Sequence, residues 1–275
     1  LQESGLDLPG VWAGEGAWGD FDQDGDLDLA LIGEIETIDG RCERITRILR
    51  NDNGLLVEDV AISDRLRGVY FGDVGWADYD SDGDLDLAVA GWDEFGQESA
   101  RLYENDGETP DRLLTLTSGL GEQPELKGVR YADLSWADMD NDGDPDLVIT
   151  GMEANGTSLT RLYRNTDGVL LHDEVNSEAL INAHNGDLAW GDVDNDGDLD
   201  LALSGENVIP EGGLGNVTEF YLNDPPGTLS LASNIALIDN NSGRPLAIRR
   251  GSLAWSDYDE DGNIERPSYN PMRLS

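Results

Sequence analysis

Trp18-Gly-Asp-Phe-Asp-Gln-Asp-Gly-Asp-Leu-Asp28 is the stretch of sequence that decides the fold. Closely similar stretches recur four times, and the five tryptophans that open them are 58, 60, 54 and 65 residues apart. Self-similarity at such a period is typical of an architecture built from repeated structural units. The later copies begin at Trp76, Trp136, Trp190 and Trp255.

A second phrase, centred on an asparagine, follows each of the first four copies at a nearly constant interval. Two linked phrases in every period argue against a chance similarity. The four copies of this phrase are Leu49-Arg-Asn51-Asp-Asn-Gly54, Leu102-Tyr-Glu-Asn105-Asp-Gly107, Leu162-Tyr-Arg-Asn165-Thr-Asp-Gly168 and Tyr221-Leu-Asn223-Asp224.

Within one period the apolar pattern predicts four short strands, and no interval has the apolar spacing of a crossover helix. The second strand is apolar on both faces, as expected where neighbouring sheets cover it. The sequence therefore predicts an all-β fold, a β-propeller of four-stranded antiparallel blades. In the second repeat the predicted strands are Val74 to Ala77, Leu85 to Gly91, Ala100 to Tyr103 and Leu113 to Thr117.

We interpret residues 1–275 as one propeller region with four complete blades and a partial blade at each end. Residues 1–4 resemble the end of a preceding blade, so we expect a fragment of a larger ring, for example one of seven blades. The repeated tryptophans are expected to pack between blades, whereas Trp12 and Trp92 are candidates for exposed contacts. The predicted repeats are 11–68, 69–128, 129–183, 184–247 and an incomplete 248–275.

The loop inside each tryptophan phrase reads Asp-x-Asp-x-Asp-Gly-x-x-Asp, and we number its positions 1 to 9. Alternating carboxylates in a tight loop can converge on one hard cation, and Ca²⁺ prefers 6 to 8 such oxygens at about 2.3–2.6 Å. Position 7 would supply its backbone carbonyl, position 9 both carboxylate oxygens, and the glycine at position 6 the sharp turn. The sequence thus predicts calcium rather than zinc.

Four loops carry the complete pattern, and a fifth departs from it. In the fifth, Glu265 is one methylene longer than aspartate and the apolar second strand is lost, so calcium binding there stays open. The predicted ligands are Asp20, Asp22, Asp24, Asp26 and Asp28; Asp78, Asp80, Asp82, Asp84 and Asp86; Asp138, Asp140, Asp142, Asp144 and Asp146; Asp192, Asp194, Asp196, Asp198 and Asp200; and Asp257, Asp259, Asp261, Asn263 and Glu265.

An EF-hand is the obvious competitor, because its loop also opens with Asp-x-Asp-x-Asp-Gly. It requires a glutamate at the twelfth position and flanking helices. The twelfth positions here are apolar and belong to predicted strands, which excludes the EF-hand in every complete copy. They are Leu31, Val89, Ile149 and Leu203.

Composition narrows the partners and the compartment. With 17 basic against 58 acidic residues, the formal net charge of −41 disfavours nucleic acid and anionic membranes. The single cysteine, Cys42, excludes an internal disulfide, and no stretch is long and apolar enough to span a bilayer.

Residues 1–10 lack the features of a signal peptide, so any export signal is expected outside this sequence. Modular extracellular sites bind calcium at about 10⁻⁴–10⁻³ M, which favours a secreted or cell-surface location, including a bacterial periplasm or outer surface.

The loop and its period resemble the FG-GAP, or VCBS, repeat of integrin α-subunit propellers and of bacterial secreted proteins. The loop matches that family's metal loop position by position, including the Pro145-Asp146 variant, and Phe71-Gly72 preserves the naming phrase. The resemblance implies a propeller whose metal loops lie on one face, with partner binding at the opposite face or rim.

We therefore expect a noncatalytic adhesion or recognition module for an unidentified protein or glycan, within a larger multidomain chain, whose hairpins calcium stabilises. The alternatives are the propeller scaffold of a secreted carbohydrate-active enzyme, such as a polysaccharide lyase, and a purely structural repeat region. The sequence indicates no Ser/His/Asp arrangement, phosphate loop or zinc cluster. His172 and His184, predicted on a strand and a turn, are interpreted as incidental.

Overall fold

A computed structural model describes residues 10–105, 107, 114–117, 125–208, 213–233 and 253. Over these residues the protein is all-β, and its strands form four antiparallel four-stranded units, which we call units 1 to 4. Units 1 and 2 are joined into one eight-stranded sheet by the single antiparallel pair of Ile45 with Val69. Within each unit every strand pairs with the next one along the chain. The predicted all-β class and four-stranded antiparallel repeat are confirmed.

The second, third and fourth strands have similar lengths in the four units, whereas the first strand of unit 1 has four residues and its counterparts have eight or nine. Unit 1 comprises β1 (Gly16–Gly19), β2 (Asp28–Glu36), β3 (Cys42–Asp52) and β4 (Leu55–Glu58); unit 2 comprises β5 (Val69–Ala77), β6 (Asp86–Asp93), β7 (Glu98–Asn105) and β8 (Leu114–Leu116). Unit 3 comprises β9 (Arg130–Ala137), β10 (Asp146–Met152), β11 (Ser158–Thr166) and β12 (Val169–His172); unit 4 comprises β13 (His184–Gly191), β14 (Asp200–Val208), β15 (Leu214–Asn223) and β16 (Leu229–Leu231).

The first and second strands of every unit pair in the same register. The last residue of the first strand lies opposite the position 9 aspartate that opens the second strand. This register places an aspartate loop at the same end of each unit. The four pairs are Gly19 with Asp28, Ala77 with Asp86, Ala137 with Asp146, and Gly191 with Asp200.

The hydrophobic core lies between neighbouring units, because the second strands are buried on both faces. On β6, Leu87 and Val89 pack against unit 1, whereas Ala88 and Ala90 pack against unit 3. The same arrangement continues between units 3 and 4. The predicted two-sided burial of the second strand is confirmed.

Two short helices occur among the described residues, and the sequence analysis predicted neither. They are α1 (Val60–Ser63) and α2 (Glu174–Ala179), each in the connection that follows the fourth strand of its unit. Each begins at an aspartate N-cap, Asp59 or Asp173, whose side chain accepts a backbone N–H of the first turn. At four and six residues, these helices are too short for an apolar period to reveal them.

The tryptophan predictions are partly confirmed. Trp76 of unit 2 stacks on Phe21 of unit 1 with ring centroids 5.7 Å apart, and its Nε1 donates to the Ala17 carbonyl at 3.1 Å. Trp18 is 56% exposed, because among the described residues no unit precedes unit 1 to cover it. Trp12 is 59% exposed, as predicted. The prediction for Trp92 was wrong, because its ring is half-buried and stacks on a neighbouring tyrosine.

Residues 1–4 and the fifth loop, 257–265, lie outside the described residues. The partial blades, the repeat boundaries and the closed ring therefore stay predictions.

Candidate metal centres

The four aspartate loops repeat one backbone conformation. Position 4 takes a positive φ of 58° to 62°, and the glycine at position 6 takes a φ of 95° to 100°. Glycine adopts such angles without the steric penalty that a side chain brings, so the loop can turn sharply enough to bring its carboxylates together. Position 4 is Gln23, Ser81, Asn141 and Asn195, and position 6 is Gly25, Gly83, Gly143 and Gly197.

Each loop brings together the carboxylates of positions 1, 3 and 9. In every loop one oxygen from each of these aspartates lies within 4.8 Å of the other two, a spacing that could hold a metal ion. The clusters are Asp20, Asp22 and Asp28; Asp78, Asp80 and Asp86; Asp138, Asp140 and Asp146; and Asp192, Asp194 and Asp200.

The position 9 aspartate is the buried anchor of each loop. Asp86 is fully buried, and its two carboxylate oxygens accept the backbone N–H groups of Asn105 at 2.8 Å and Tyr79 at 3.1 Å. The same two bonds, from position 2 of the loop and from the repeated asparagine, hold position 9 in the other units. The remaining anchors are Asp28, Asp146 and Asp200.

The repeated asparagine joins neighbouring loops, a role that the sequence analysis missed. The Asn105 side chain donates to the Leu85 carbonyl of its own loop at 3.3 Å and to the Phe21 carbonyl of the preceding loop at 3.0 Å. Asn165 and Asn223 make the equivalent pairs of bonds. Their nearly constant spacing from the aspartate loop was the signal in the sequence, but pairing with the preceding unit required the fold.

The side chains of positions 5 and 7 lie outside the three-carboxylate clusters. At position 5 one carboxylate oxygen accepts the backbone N–H of position 7, at 2.9–3.0 Å in all four loops. At position 7 the carboxylate accepts a bond from position 4 of the preceding loop, as in Asn141 to Asp198 at 2.7 Å. Adjacent loops are therefore linked directly, which the repeat pattern did not predict.

Burial raises the pKa values of several loop carboxylates. Loss of hydration raises the pKa of Asp86 to about 8 and that of Asp146 to about 7, and it also raises the pKa values of Asp28 and Asp200. Burial and the nearby Asp82 carboxylate raise the pKa of Asp80 to about 6. Each loop thus favours an added positive charge, supplied by protons or by a cation.

Several buried carboxylate oxygens of the loops have no hydrogen-bond partner, which also suits a cation site. One oxygen of each of four aspartates at positions 1 and 3 is buried without a hydrogen-bond partner. An unpartnered buried carboxylate oxygen is costly, and a hard divalent cation would satisfy it. These oxygens are the Oδ1 atoms of Asp20, Asp22, Asp78 and Asp140.

His184 lies in a buried polar cluster. Ser158, His184 and Glu206 lie together, with Oγ 2.9 Å from Nδ1 and Nε2 3.6 Å from Oε2. All three side chains are more than nine-tenths buried, so a substrate cannot approach this serine. The prediction of His184 on a turn was wrong, because it begins β13; His172 ends β12, as predicted.

A cavity of about 490 Å³ lies along the first strands of all four units, towards the end opposite the aspartate loops. Two aromatic side chains line it, Phe71 and Tyr131, and both have positive φ, 45° and 50°. Ala13 and Asn185 occupy the equivalent places in units 1 and 4 and also have positive φ, 49° and 58°, so this backbone angle is a repeated feature of the four units. The cavity is also acidic, since Glu15, Asp73, Asp133 and Asp187 line it.

Residues 78–149 and 138–203 each match a family model described as an FG-GAP-like repeat. Each match begins at position 1 of one loop and extends past position 9 of the next, so the family period is the distance from loop to loop. No curated protein matches the chain. Neither helix of the described residues has the length and apolar content needed to cross a membrane.

Proposed function

This chain is an FG-GAP repeat protein, and from that premise we propose that it is a noncatalytic recognition module whose propeller blades are stabilised by calcium outside the cell. The observation that carries the proposal is the fourfold recurrence of a three-carboxylate cluster on one loop geometry. Three carboxylates this close together, one of them buried, are unfavourable when all are charged, and bound cations would relieve this repulsion in all four loops.

The ligands at each loop would be the carboxylates of positions 1, 3 and 9, completed by position 5, the position 7 carbonyl and water. Oxygen donors of this number and type suit calcium better than zinc, which prefers nitrogen and sulfur. A bound divalent ion supplies the positive charge that offsets repulsion among the carboxylates. The chain itself supplies the preformed anchor at position 9 and the links between neighbouring loops.

Melting in CaCl₂ and in EDTA tests the calcium part of this proposal. At a free calcium concentration 100 times its Kd, each independent site adds about 2.7 kcal/mol to the free energy of unfolding. We therefore expect a large increase in Tm with calcium and a smaller one with the same concentration of MgCl₂. Equal melting temperatures with CaCl₂ and EDTA, and no heat on calorimetric titration, would reject calcium binding.

An extracellular location follows from the same chemistry. Modular calcium sites of the extracellular kind need about 10⁻⁴–10⁻³ M calcium, far above the resting level of the cytosol. Fractionation of the native host is the direct test, with the full-length protein expected in the medium, the periplasm or at the cell surface.

Recognition is assigned to the end of the units opposite the aspartate loops. Support comes from the acidic cavity with Phe71 and Tyr131 on its lining and from the exposed Trp12 nearby, whose ring centroid is 5.0 Å from that of Phe71. Aromatic side chains with an accessible face are frequent anchors in binding sites. Saturable binding of the calcium-loaded protein on glycan and protein arrays, without turnover, is the expected result. Turnover of a bound polysaccharide would favour the enzyme scaffold instead.

A further inference from the structure

The residue before the repeated asparagine differs in charge among the four units. It lies on the third strand beside an aspartate loop whose geometry is otherwise repeated. The same loop geometry therefore occurs beside a positive, a negative and an uncharged residue. The four residues are Arg50, Glu104, Arg164 and Leu222.

In units 1 and 3 the arginine is bonded to the position 3 carboxylate of its loop. Arg50 donates to Asp22 Oδ2 at 3.0 Å and to Asp59 Oδ2 at 2.7 Å. Arg164 pairs in the same way with the position 3 carboxylate of loop 3 and, at 3.1 Å, with Asp173. Each guanidinium thus joins a metal loop to the N-cap aspartate of a short helix.

The arginine and its second aspartate occur together. The residue that follows the fourth strand is Asp59, Thr117, Asp173 or Ala232, and its backbone N–H donates to the same carbonyl of the third strand in every unit, at 2.8–2.9 Å. These four residues are therefore structurally equivalent. Units 1 and 3 have both members of the ion pair, whereas units 2 and 4 have neither.

The arginines leave the metal-binding oxygen of position 3 available. Each one pairs with Oδ2, while Oδ1 of Asp22 and of Asp140 is buried without a hydrogen-bond partner. Each guanidinium therefore lies beside the proposed cation site and has two opposing effects on its calcium affinity. It orders the carboxylate, which is worth a few-fold in affinity at most, and it repels a divalent ion. At a separation of about 6 Å in water, one unit charge changes the affinity for a divalent ion about tenfold, so repulsion prevails.

Unit 2 has the opposite charge at the same place. Glu104 lies on β7 directly before Asn105, at the place on the third strand that the arginines occupy in units 1 and 3, and its side chain is half-buried. A carboxylate beside the loop raises the affinity for a divalent cation, just as a guanidinium in the same place lowers it. Leu222 of unit 4 is uncharged and partly buried.

We infer that the residue before the repeated asparagine sets the calcium affinity of its loop, with loop 2 tightest, loop 4 intermediate, and loops 1 and 3 weakest. The inference rests on the proposed function, since it ranks sites assigned there to calcium. Arg50 and Arg164 are positioning residues, which keep their loops ordered at low calcium, while loop 2 needs the ion most.

The position 6 glycines allow each loop to be followed separately. Their backbone N–H groups are bonded to the position 1 aspartates at 3.0–3.1 Å, so calcium binding should shift each amide resonance. We expect a CaCl₂ titration of the ¹⁵N-glycine-labelled chain to saturate Gly83 first, Gly197 next, and Gly25 and Gly143 last, with successive midpoints about tenfold apart.

Exchanging the neighbouring residues tests the cause. Arg164→Leu, which introduces the unit 4 residue while leaving Asp173 in place, should lower the midpoint of loop 3 about tenfold, and Arg164→Lys, which keeps the charge, should leave it near the wild-type value. Glu104→Arg combined with Thr117→Asp should raise the midpoint of loop 2 at least tenfold. A purely structural role for Arg164 would instead lower Tm in EDTA without moving the midpoint of loop 3.

The outcomes separate this inference from the proposed function. Four coincident midpoints that neither exchange moves would overturn the inference and leave calcium binding in place. A lack of any calcium response at all four glycines would overturn both. Should Arg164→Leu fail to fold, the Glu104→Arg and Thr117→Asp exchange decides alone, because it introduces an ion pair that units 1 and 3 already accommodate.

Discussion

Loops 2 and 3 have the same geometry but opposite electrostatic surroundings. The two bonds that hold position 9 measure 2.8 and 3.1 Å at Asp86 and 2.7 and 3.0 Å at Asp146. Beside position 3, however, loop 2 has Glu104, whereas loop 3 has the ion pair between Arg164 and Asp140. The loop sequence thus determines the geometry of the site, and a residue of the third strand changes the net charge around it.

Removing the anchor should have the largest effect, with a loss in CaCl₂ that is larger at loop 2 than at loop 3 by about 1.4 kcal/mol for each tenfold difference in their calcium affinities. Asp86→Ala and Asp146→Ala each leave two buried N–H groups without an acceptor and delete a calcium ligand. We expect each to lower the free energy of unfolding in CaCl₂ by about 5 kcal/mol, measured by urea denaturation. Asp52→Ala, at an exposed position on β3, is the control. In EDTA, where the calcium affinities do not contribute, a large difference between the two anchors would break the comparison at the level of geometry.

Raising the pH should destabilise the calcium-free protein. An aspartate whose folded pKa is raised stabilises the fold fully below its unfolded pKa and loses that contribution as the pH rises through the folded value. For Asp80, Asp146 and Asp86 the loss begins above the ordinary pKa of 3.8 and is complete near pH 6, 7 and 8, respectively. In EDTA we expect the free energy of unfolding to fall by on the order of 3 kcal/mol between pH 5.5 and 8.

Calcium should reverse this pH dependence, because the ion replaces the protons. The increase in Tm caused by CaCl₂ is therefore expected to be larger at pH 8 than at pH 5.5. Glu104→Gln should reduce the pH dependence in EDTA, since Glu104 contributes to the raised pKa of Asp80. An increase in calcium-free stability from pH 5.5 to 8 would contradict the assigned burial of these carboxylates.

Replacing the repeated asparagine with alanine should lower the free energy of unfolding less than replacing the position 9 aspartate. Asn105→Ala and Asn165→Ala each free two carbonyls, one in their own loop and one in the preceding loop. We expect a loss of about 2 kcal/mol in each case, by urea denaturation in CaCl₂. Asn216→Ala, at an exposed position on β15, is the matched control. In the glycine titration the midpoint of the preceding loop should also rise.

Removing the bond between position 4 of one loop and position 7 of the next should have the smallest effect on stability. Asn141→Ala removes the exposed bond to Asp198, and Gln23→Ala removes the bond to Asp84, at about 0.5 kcal/mol each. A weak dependence of loop 4 on the occupancy of loop 3 should disappear in Asn141→Ala. Retention of that dependence would show that the loops communicate through the repeated asparagines alone.

The sequence was sufficient for the features that local chemistry determines. The period, the four strands and the buried second strand followed from apolar alternation and turn residues, and positions 1, 3 and 9 converge as the loop pattern predicted. Position 5 was expected at the same centre, but the structure shows one of its oxygens accepting a backbone N–H. Such a bond closes a local turn that aspartate forms readily, and loop spacing does not reveal it.

Contacts between units could not be predicted from one period. Asn105 bonds the Phe21 carbonyl, which lies 84 positions away in sequence, and Trp92 is covered because Tyr70 stacks on it at 5.6 Å. The pairing of Arg164 with Asp140 and Asp173 also required the fold, because these residues come from three separate segments. Each of these contacts depends on how units stack or how strands align, not on local propensity.

The stacking of Trp76 on Phe21 gives the molecule an optical reporter of its own. Phe21 is position 2 of loop 1, and its N–H holds the carboxylate of Asp28, so the indole of one unit contacts the metal loop of the unit before it. Light emitted by Trp76 therefore reports the order of a neighbouring loop without any attached dye. The exposed Trp18 provides the solvent-facing reference in the same spectrum.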